Sequence, residues 1–218
     1  MRSRLDEQLA QLNDSLIEMG MAAKKAISDA TKALSDQDVD LAKSIMASDD
    51  KIDAMEKDIE RLCLKLILQQ QPVASDLRLV SAILKIITDL ERIGDHASDI
   101  SEFTVYLAGE QYIKNLEHIQ QMADLTMMMV TESIEAFVGR DIELARKVIA
   151  DDDEVDSLFL TVKRELIDLI NANAHNGDQA IDLMMVTKYY ERIGDHATNV
   201  AEWVEFALTG TYKDSQIM

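Results

Sequence analysis

Acidic residues recur in this chain at a spacing that would let them bind a metal cation. Four pairs of carboxylates stand four residues apart, so each pair would share one face of a helix. Two pairs fall in each half of the chain: Asp49 with Asp53, Glu91 with Asp95, Asp152 with Asp156, and Glu191 with Asp195. Carboxylate oxygens suit hard cations such as Mg²⁺, Mn²⁺, Ca²⁺ and iron. Because like charges at this spacing repel, a bound cation would compensate them.

The same pairs could instead form an ordinary solvated acidic face. The chain has 41 acidic residues among 218, and chance alone then gives about eight acidic pairs at this spacing. The recurrence of these acidic pairs at corresponding positions in both halves favours a metal site. The segment ERIGDHA occurs at 91–97 and again at 191–197, and ASDDKID at 47–53 resembles ADDDEVD at 150–156. This pattern indicates an internal duplication, and it favours metal binding while the solvated face stays open as the alternative.

The elements that must position these acids are helices. Proline occurs once and glycine seven times, a composition typical of long helices. Turn-forming residues break the helical pattern at 35–36, 71–72, 109, 139, 176–177 and 210. The sequence therefore predicts an all-α fold of six long antiparallel helices. They would form two tandem three-helix bundles, at 1–109 and 110–218, related by the internal duplication.

The third predicted helix separates its apolar and acidic residues. An apolar stripe with helical spacing predicts the side that faces the core; it comprises Leu79, Ile83, Ile86, Leu90, Ile93, Ala97 and Ile100. A separate acidic row comprises Glu91, Asp95, Asp99 and Glu102. His96 and His196 project to another side, which favours a packing or surface role. Gly94 and Gly194 inside the helices favour close approach of a neighbouring helix.

Charge and composition exclude several classes of function. The net charge of −19 disfavours nucleic acid and anionic lipid as partners. The first residues lack the apolar core of a signal peptide, and no stretch is apolar enough to span a membrane, so we expect a soluble, cytoplasmic protein without membrane insertion. The single Cys63 leaves no disulfide framework.

The sequence does not predict an enzyme. No Gly-rich phosphate loop and no nucleophile with its base stands out. One enzymatic class is an alternative, the carboxylate-bridged metal-handling bundles with iron storage or oxidase activity, which use Glu-x-x-His on two helices. The residues three before the four histidines are Ile93, Asn115, Ala172 and Ile193, so this signature is absent.

The duplicated ERIGDHA helices, the acidic pairs before them, the segment QQPVASDLR at 70–78 and the opening LDEQLAQLNDSLIEMG resemble the PhoU family of phosphate-uptake regulators. The resemblance spans nearly the whole chain. It implies two three-helix bundles with pseudo-twofold symmetry and metal sites occupied by iron, zinc, manganese or magnesium. It also implies an adaptor that restrains the high-affinity phosphate ABC transporter, through its ATPase subunit, and the phosphate-sensing histidine kinase. We further expect a homodimer.

The resemblance also implies which residues bind the metal. In the first half these are Asp49, Asp53, Glu91, Asp95 and Asp99. In the second half they are Asp152, Asp156, Glu191 and Asp195, and Asn199 occupies the position that corresponds to Asp99. Because Asn199 is neutral, we expect the second site to bind hard cations more weakly than the first.

Overall fold

The computed structural model describes residues 2–48, 50–213 and 215–216, and nearly all of them are helical. The long helices are α1 (Arg2–Asp36), α2 (Val39–Ser48), α3 (Asp50–Gln70), α4 (Ser75–Leu107), α5 (Glu117–Gly139), α6 (Ile142–Ala172) and α7 (Gly177–Thr209). A 3-10 helix, Ala174–Asn176, precedes α7, and two short strands, β1 (Thr211–Tyr212) and β2 (Ser215–Gln216), pair antiparallel after it. The prediction of an all-α fold is confirmed.

The helix boundaries follow the breaks in the sequence pattern. α5 ends at Gly139 and α7 begins at Gly177, as predicted. The predicted second helix corresponds to α2 and α3, which lie on either side of Asp49, a residue outside the described part of the chain. At the end of α7, Gly210 adopts a left-handed φ of 81°, and its N–H donates to the Phe206 carbonyl oxygen. A left-handed residue after a helix satisfies a terminal carbonyl in this way, which is why glycine is favoured there.

Short local signals set the start of α6, a helix that carries two of the candidate ligands. Arg140 has a left-handed φ of 52° and donates its N–H to carbonyl oxygens of the last turn of α5. Asp141 follows as the N-cap, and its side chain accepts from the N–H groups of Glu143 and Leu144. Such a cap satisfies donors that the first helical turn leaves free. The α5–α6 turn is therefore encoded by adjacent residues.

The six predicted helices form two three-helix bundles. In the first bundle α1 packs against α4, and α2 and α3 pack against both of them; in the second, α5, α6 and α7 pack against one another. The bundles meet through corresponding helices, because α4 packs along α7 and α1 packs along α5. Pairing of like with like is the arrangement expected of an internal duplication, and it agrees with the predicted architecture.

The apolar core is continuous across the two bundles. It includes residues of all seven α-helices, and α4 and α7 contribute the most extensive buried faces. The predicted stripe of α4 faces this core; Ile83, Ile86, Leu90, Ile93, Ala97 and Ile100 are all buried. Leu90 corresponds to Tyr190, which is also fully buried, and the Tyr190 hydroxyl lies 2.8 Å from the hydroxyl of Thr31. The predicted boundary between 109 and 110 therefore does not separate two cores, and as a domain limit it stays a prediction.

Candidate metal centres

Three carboxylates converge on the outside of the first bundle. Asp53 on α3 and Glu91 and Asp95 on α4 each offer one oxygen, and these three oxygens all lie within 4.8 Å of one another. All three residues are half-buried. We call this group the first cluster. Its helices approach closely because Gly94 has no side chain: a Cβ there would lie 2.8 Å from Cδ1 of Ile52.

The first cluster concentrates negative charge. The pKa of Glu91 is raised by burial and by the nearby carboxylate of Asp95, with smaller contributions from Glu56 and Asp53. Arg92 opposes this increase, since it lies 3.4 Å from Glu91 Oε2 and 2.9 Å from Asp95 Oδ2. These ion pairs use one oxygen of each carboxylate. The other oxygen of each remains available for a cation.

The corresponding acids of the second bundle form the second cluster: Asp152, Asp156, Glu191 and Asp195. Burial, followed by the carboxylates of Asp195, Asp156 and Glu191, raises the pKa of Asp152 to about 6. Burial and Glu191 likewise raise the pKa of Asp195. The other acids of the cluster therefore lie close enough to Asp152 and Asp195 to influence their ionisation.

The second cluster is nevertheless arranged differently. Although all four of its acids lie in the described part of the chain, no three of them offer oxygens within 4.8 Å of one another. Glu191 is engaged by Lys188, whose ammonium donates to both of its carboxylate oxygens. Asp152 lies against Gly194, where a Cβ would stand 3.1 Å from Asp152 Oδ1. As predicted, both Gly94 and Gly194 accommodate a neighbouring helix.

Two predicted ligands lie in a separate polar group at the interface of α4 and α7. Asp99 Oδ2 is 3.3 Å from His96 Nδ1, and Asp99 is not a member of the convergent group of three. Asn199 donates from Nδ2 to Asp89 Oδ1 at 3.2 Å, and His196 Nδ1 lies 2.8 Å from the same oxygen. The structure therefore places Asp99 and Asn199 beside the histidines, and their assignment as metal ligands stays a prediction. Asp49 lies outside the described residues.

The two histidines occupy corresponding positions across the interface. The ring centroids of His96 and His196 are 5.5 Å apart. His96 is buried, and burial is the main cause that lowers its pKa. Their packing role agrees with the interpretation of the sequence. Asp89, the partner of His196, was missed there because Tyr189 stands at the corresponding position and hides the pattern.

Four further residues beside the clusters were not identified from the sequence: Lys188, Phe159, Thr88 and Glu56. Thr88 Oγ1 donates to Glu56 Oε1 at 3.0 Å beside the first cluster, and Lys188 Nζ lies 5.4 Å from the Phe159 ring centroid beside the second. The signal that could have found them is the duplication itself. Aligned by the offsets of 100 and 103, Thr88 matches Lys188 and Glu56 matches Phe159.

The donor chemistry of both clusters suits a hard cation. Every candidate donor is a carboxylate oxygen on a helix, a set that fits Mg²⁺, Mn²⁺, Ca²⁺ or iron better than a thiol-preferring metal. Burial is the main cause that raises the pKa values of Glu91, Asp152 and Asp195, and a bound cation would relieve the carboxylate repulsion that adds to it. Across the described residues, none of the helices is long and apolar enough to cross a membrane.

Comparison with known proteins gives a consistent result. The family model described as the PhoU domain matches the chain twice, at residues 16–104 and 119–204. A phosphate-specific transport system accessory protein PhoU homolog from Clostridium acetobutylicum is 39% identical over 214 residues, which is 98% of each chain. A homolog of the same name from Aquifex aeolicus is 41% identical and covers 87% of this chain and 86% of its own.

Solved structures agree with the sequence relatives. The crystal structure of PhoU from Pseudomonas aeruginosa superposes with a TM-score of 0.90 at 34% identity, covering 94% of this chain and 99% of its own. PhoU from Streptococcus pneumoniae superposes with a TM-score of 0.89 at 27% identity. The two family matches coincide with the two bundles, so the duplication seen in the sequence is a duplication of the PhoU domain. This chain belongs to the PhoU family.

Proposed function

We propose that this protein is a metal-dependent regulatory adaptor that restrains high-affinity phosphate uptake and phosphate-starvation signalling. The name shared by its relatives, phosphate-specific transport system accessory protein, supports the link to phosphate transport. The absence of an activated nucleophile in its sequence favours an adaptor over an enzyme. Its effect on transport would then come through binding to other proteins.

The partners we propose are the ATPase subunit of the phosphate ABC transporter and the phosphate-sensing histidine kinase. Both contacts would be made in the cytoplasm by a homodimer of this chain. The net charge of −19 supports electrostatic attraction to basic surfaces on such partners. Association should therefore weaken as salt screens the charge. Surface plasmon resonance at about 50 mM and about 300 mM salt would measure this change in affinity.

The observation that carries the metal-dependent part is the convergence of Asp53, Glu91 and Asp95 within 4.8 Å. A divalent cation held by these three residues would join α3 to α4 across the surface of the bundle. It would also neutralise carboxylates that otherwise repel. The exposed surface around the cluster would then have one fixed arrangement for a partner to recognise.

The same reasoning extends to the second cluster, although its carboxylate oxygens converge less closely. Asp152, Asp156 and Asp195 would be its ligands, because Glu191 is already paired with Lys188. Two metal sites are thus proposed, one on each bundle. The storage or oxidase alternative is not favoured, since its histidine signature is absent and His96 and His196, the histidines nearest the clusters in sequence, pack between α4 and α7.

A double variant tests whether the metal sites are needed for regulation. Asp95→Asn together with Asp195→Asn keeps side-chain size and removes one charge from each cluster. A strain carrying it should express phosphate-starvation genes in rich phosphate, read out by a reporter of those genes. Full repression with the variant at wild-type protein level would contradict the proposal.

A charge-matched control separates the metal sites from overall charge. Asp58→Asn with Asp168→Asn removes the same charge from α3 and α6, at exposed positions outside the clusters. This control should repress normally. Elemental analysis of both purified variants would then show whether loss of repression accompanies loss of bound metal.

A further inference from the structure

The two PhoU domains of this chain differ at one pair of facing positions beside their clusters. The duplicated segments align with an offset of 100 in α4 and α7 and of 103 in α3 and α6. Thr88 therefore corresponds to Lys188, and Glu56 corresponds to Phe159. The two residues contact one another in each domain, so both members of this contact pair differ between the domains.

In the first domain this contact is polar and negatively charged. Thr88 donates its hydroxyl hydrogen to Glu56 at 3.0 Å. Glu56 lies close enough to the first cluster to raise the pKa of Glu91. The first domain thus places a fourth carboxylate beside the three that converge.

In the second domain the corresponding contact includes a positively charged side chain, Lys188. Phe159 contributes an aromatic ring in place of a carboxylate, and Lys188 Nζ lies 5.4 Å from the ring centroid, within cation–π range. The same ammonium donates to both oxygens of Glu191. Glu191 is largely buried, with a side chain only 14% exposed. The ammonium is therefore held on two sides within the second cluster.

The cations of the first cluster engage their acids less completely. Arg92 contacts one oxygen each of Glu91 and Asp95, and Lys57 Nζ lies 3.7 Å from one oxygen of Asp53. Both basic side chains are more than half exposed. Each of the three acids keeps an oxygen for a metal ion, whereas Glu191 has both of its oxygens occupied.

We propose that Lys188, supported by Phe159, acts as a built-in cation that makes the second cluster the weaker metal site of this protein. This inference rests on the metal-binding function proposed above. A divalent ion can recruit Glu191 only by displacing an ammonium that already makes charge-assisted hydrogen bonds. The two domains then differ in metal affinity although their four paired acids are of the same types. At low metal concentration, only the first domain would be loaded.

Mn²⁺ titration followed by calorimetry, with the EPR signal of free Mn²⁺ as a second readout, tests the proposal. The wild type should show two classes of site. Asp95→Asn should remove the tighter class and Asp195→Asn the weaker. Lys188→Thr should strengthen the weaker class about tenfold, since it releases Glu191. Lys188→Thr with Phe159→Glu, which copies the first domain, should bring the two classes close together.

Three controls define the cause. Lys188→Arg keeps a cation able to bind both oxygens and should leave the two classes as in the wild type. Lys65→Thr removes one positive charge from an exposed position on α3 and should also leave them unchanged. The reciprocal change, Glu56→Phe with Thr88→Lys, should weaken the tighter class about tenfold.

The outcomes separate this inference from the proposed function. Two sites of equal affinity in the wild type, unchanged by Lys188→Thr, would overturn the role of Lys188 while leaving metal binding in place. A weaker class that responds equally to Lys65→Thr would show that only net charge matters, which also overturns it. No Mn²⁺ binding by the wild type would overturn the metal-binding proposal and this inference together.

Discussion

The two carboxylate clusters descend from one duplicated unit, yet their surroundings have diverged. The first cluster brings Asp53, Glu91 and Asp95 within 4.8 Å. The second holds its acids further apart and pairs Glu191 with Lys188. The acids were retained in both domains, whereas Thr88 and Glu56 beside the first cluster correspond to Lys188 and Phe159 beside the second. The acidic motif alone is therefore a poor guide to metal affinity, because a single neighbouring cation changes which oxygens are free.

The largest effect we expect comes from removing a convergent ligand of the first cluster. Asp95→Asn should weaken the tighter Mn²⁺ site by at least about 100-fold. Changing a residue that only supports a metal ligand lowers metal affinity by about 10–100-fold, and changing the ligand itself should cost more. Metal at about 100 times its Kd stabilises a protein by about 2.7 kcal/mol, so the melting temperature gained on adding Mn²⁺ should shrink in this variant. Calorimetry and thermal melts would measure both effects.

The same change in the second domain sharpens the comparison. Asp195→Asn should leave the tighter Mn²⁺ site unaltered and should reduce the metal-dependent rise in melting temperature only at high Mn²⁺. If the two single variants lose the same affinity, the clusters are equivalent and the difference described between them has no consequence for binding.

A second, smaller effect concerns the polar group between α4 and α7. Asn199 donates a hydrogen bond to Asp89 at 3.2 Å, so Asn199→Asp would replace that bond by two facing carboxylates. We expect a loss of about 1–2 kcal/mol in the free energy of unfolding, measured by chemical denaturation. From the sequence alone, the same change should raise metal affinity at the second site.

These two expectations for Asn199→Asp are opposed, and one experiment decides between them. The structure predicts unchanged Mn²⁺ affinity with reduced stability at neutral pH. Higher affinity at the second site would restore Asn199 to the set of ligands. Asp99→Asn is the matched control in the first domain, and it should have a smaller effect because the Asp99 side chain is 39% exposed and its contact with His96 is longer.

Local sequence signals were enough to predict the fold. Gly139, Gly177 and Gly210 each mark a helix boundary or turn that depends only on adjacent residues. The apolar stripe around Leu90 identified the buried face of α4, because a period of 3.6 residues fixes which side chains share a face. Gly94 also predicted the close approach of a neighbouring helix.

The details of the site depended on contacts that periodicity does not encode. Asp95 and Asp99 are neighbours on one helix, yet the carboxylate of Asp99 contacts His96 and not the first cluster. This contact depends on the side-chain conformation of Asp99 and on the packing of His96 against α7. Lys188 lies one helical turn before Glu191, so an ion pair could have been anticipated from spacing. The alignment of the two halves marks Phe159 as a difference between them, but it does not show that the ring contacts Lys188, because the two residues lie on different helices.

The smallest effect we expect is a pH-dependent gain in stability from Asp152→Asn in metal-free protein. Burial and the neighbouring carboxylates raise the pKa of Asp152 from its ordinary value near 3.8 to about 6. A raised carboxyl pKa stabilises the folded state below pH 4 and loses that contribution as the pH rises through 6, because the charged form is disfavoured in the folded protein. Since the variant cannot ionise, it should be more stable than the wild type above pH 6, by about 1 kcal/mol after allowance for solvent screening. Urea denaturation in a chelator would measure this gain, which should vanish near pH 4 and reverse when saturating Mn²⁺ makes Asp152 a ligand.

Asp153→Asn, an exposed change of the same charge one residue away, should give a smaller gain. An equal gain from both variants would show that the repulsion comes from net charge and not from the buried position of Asp152.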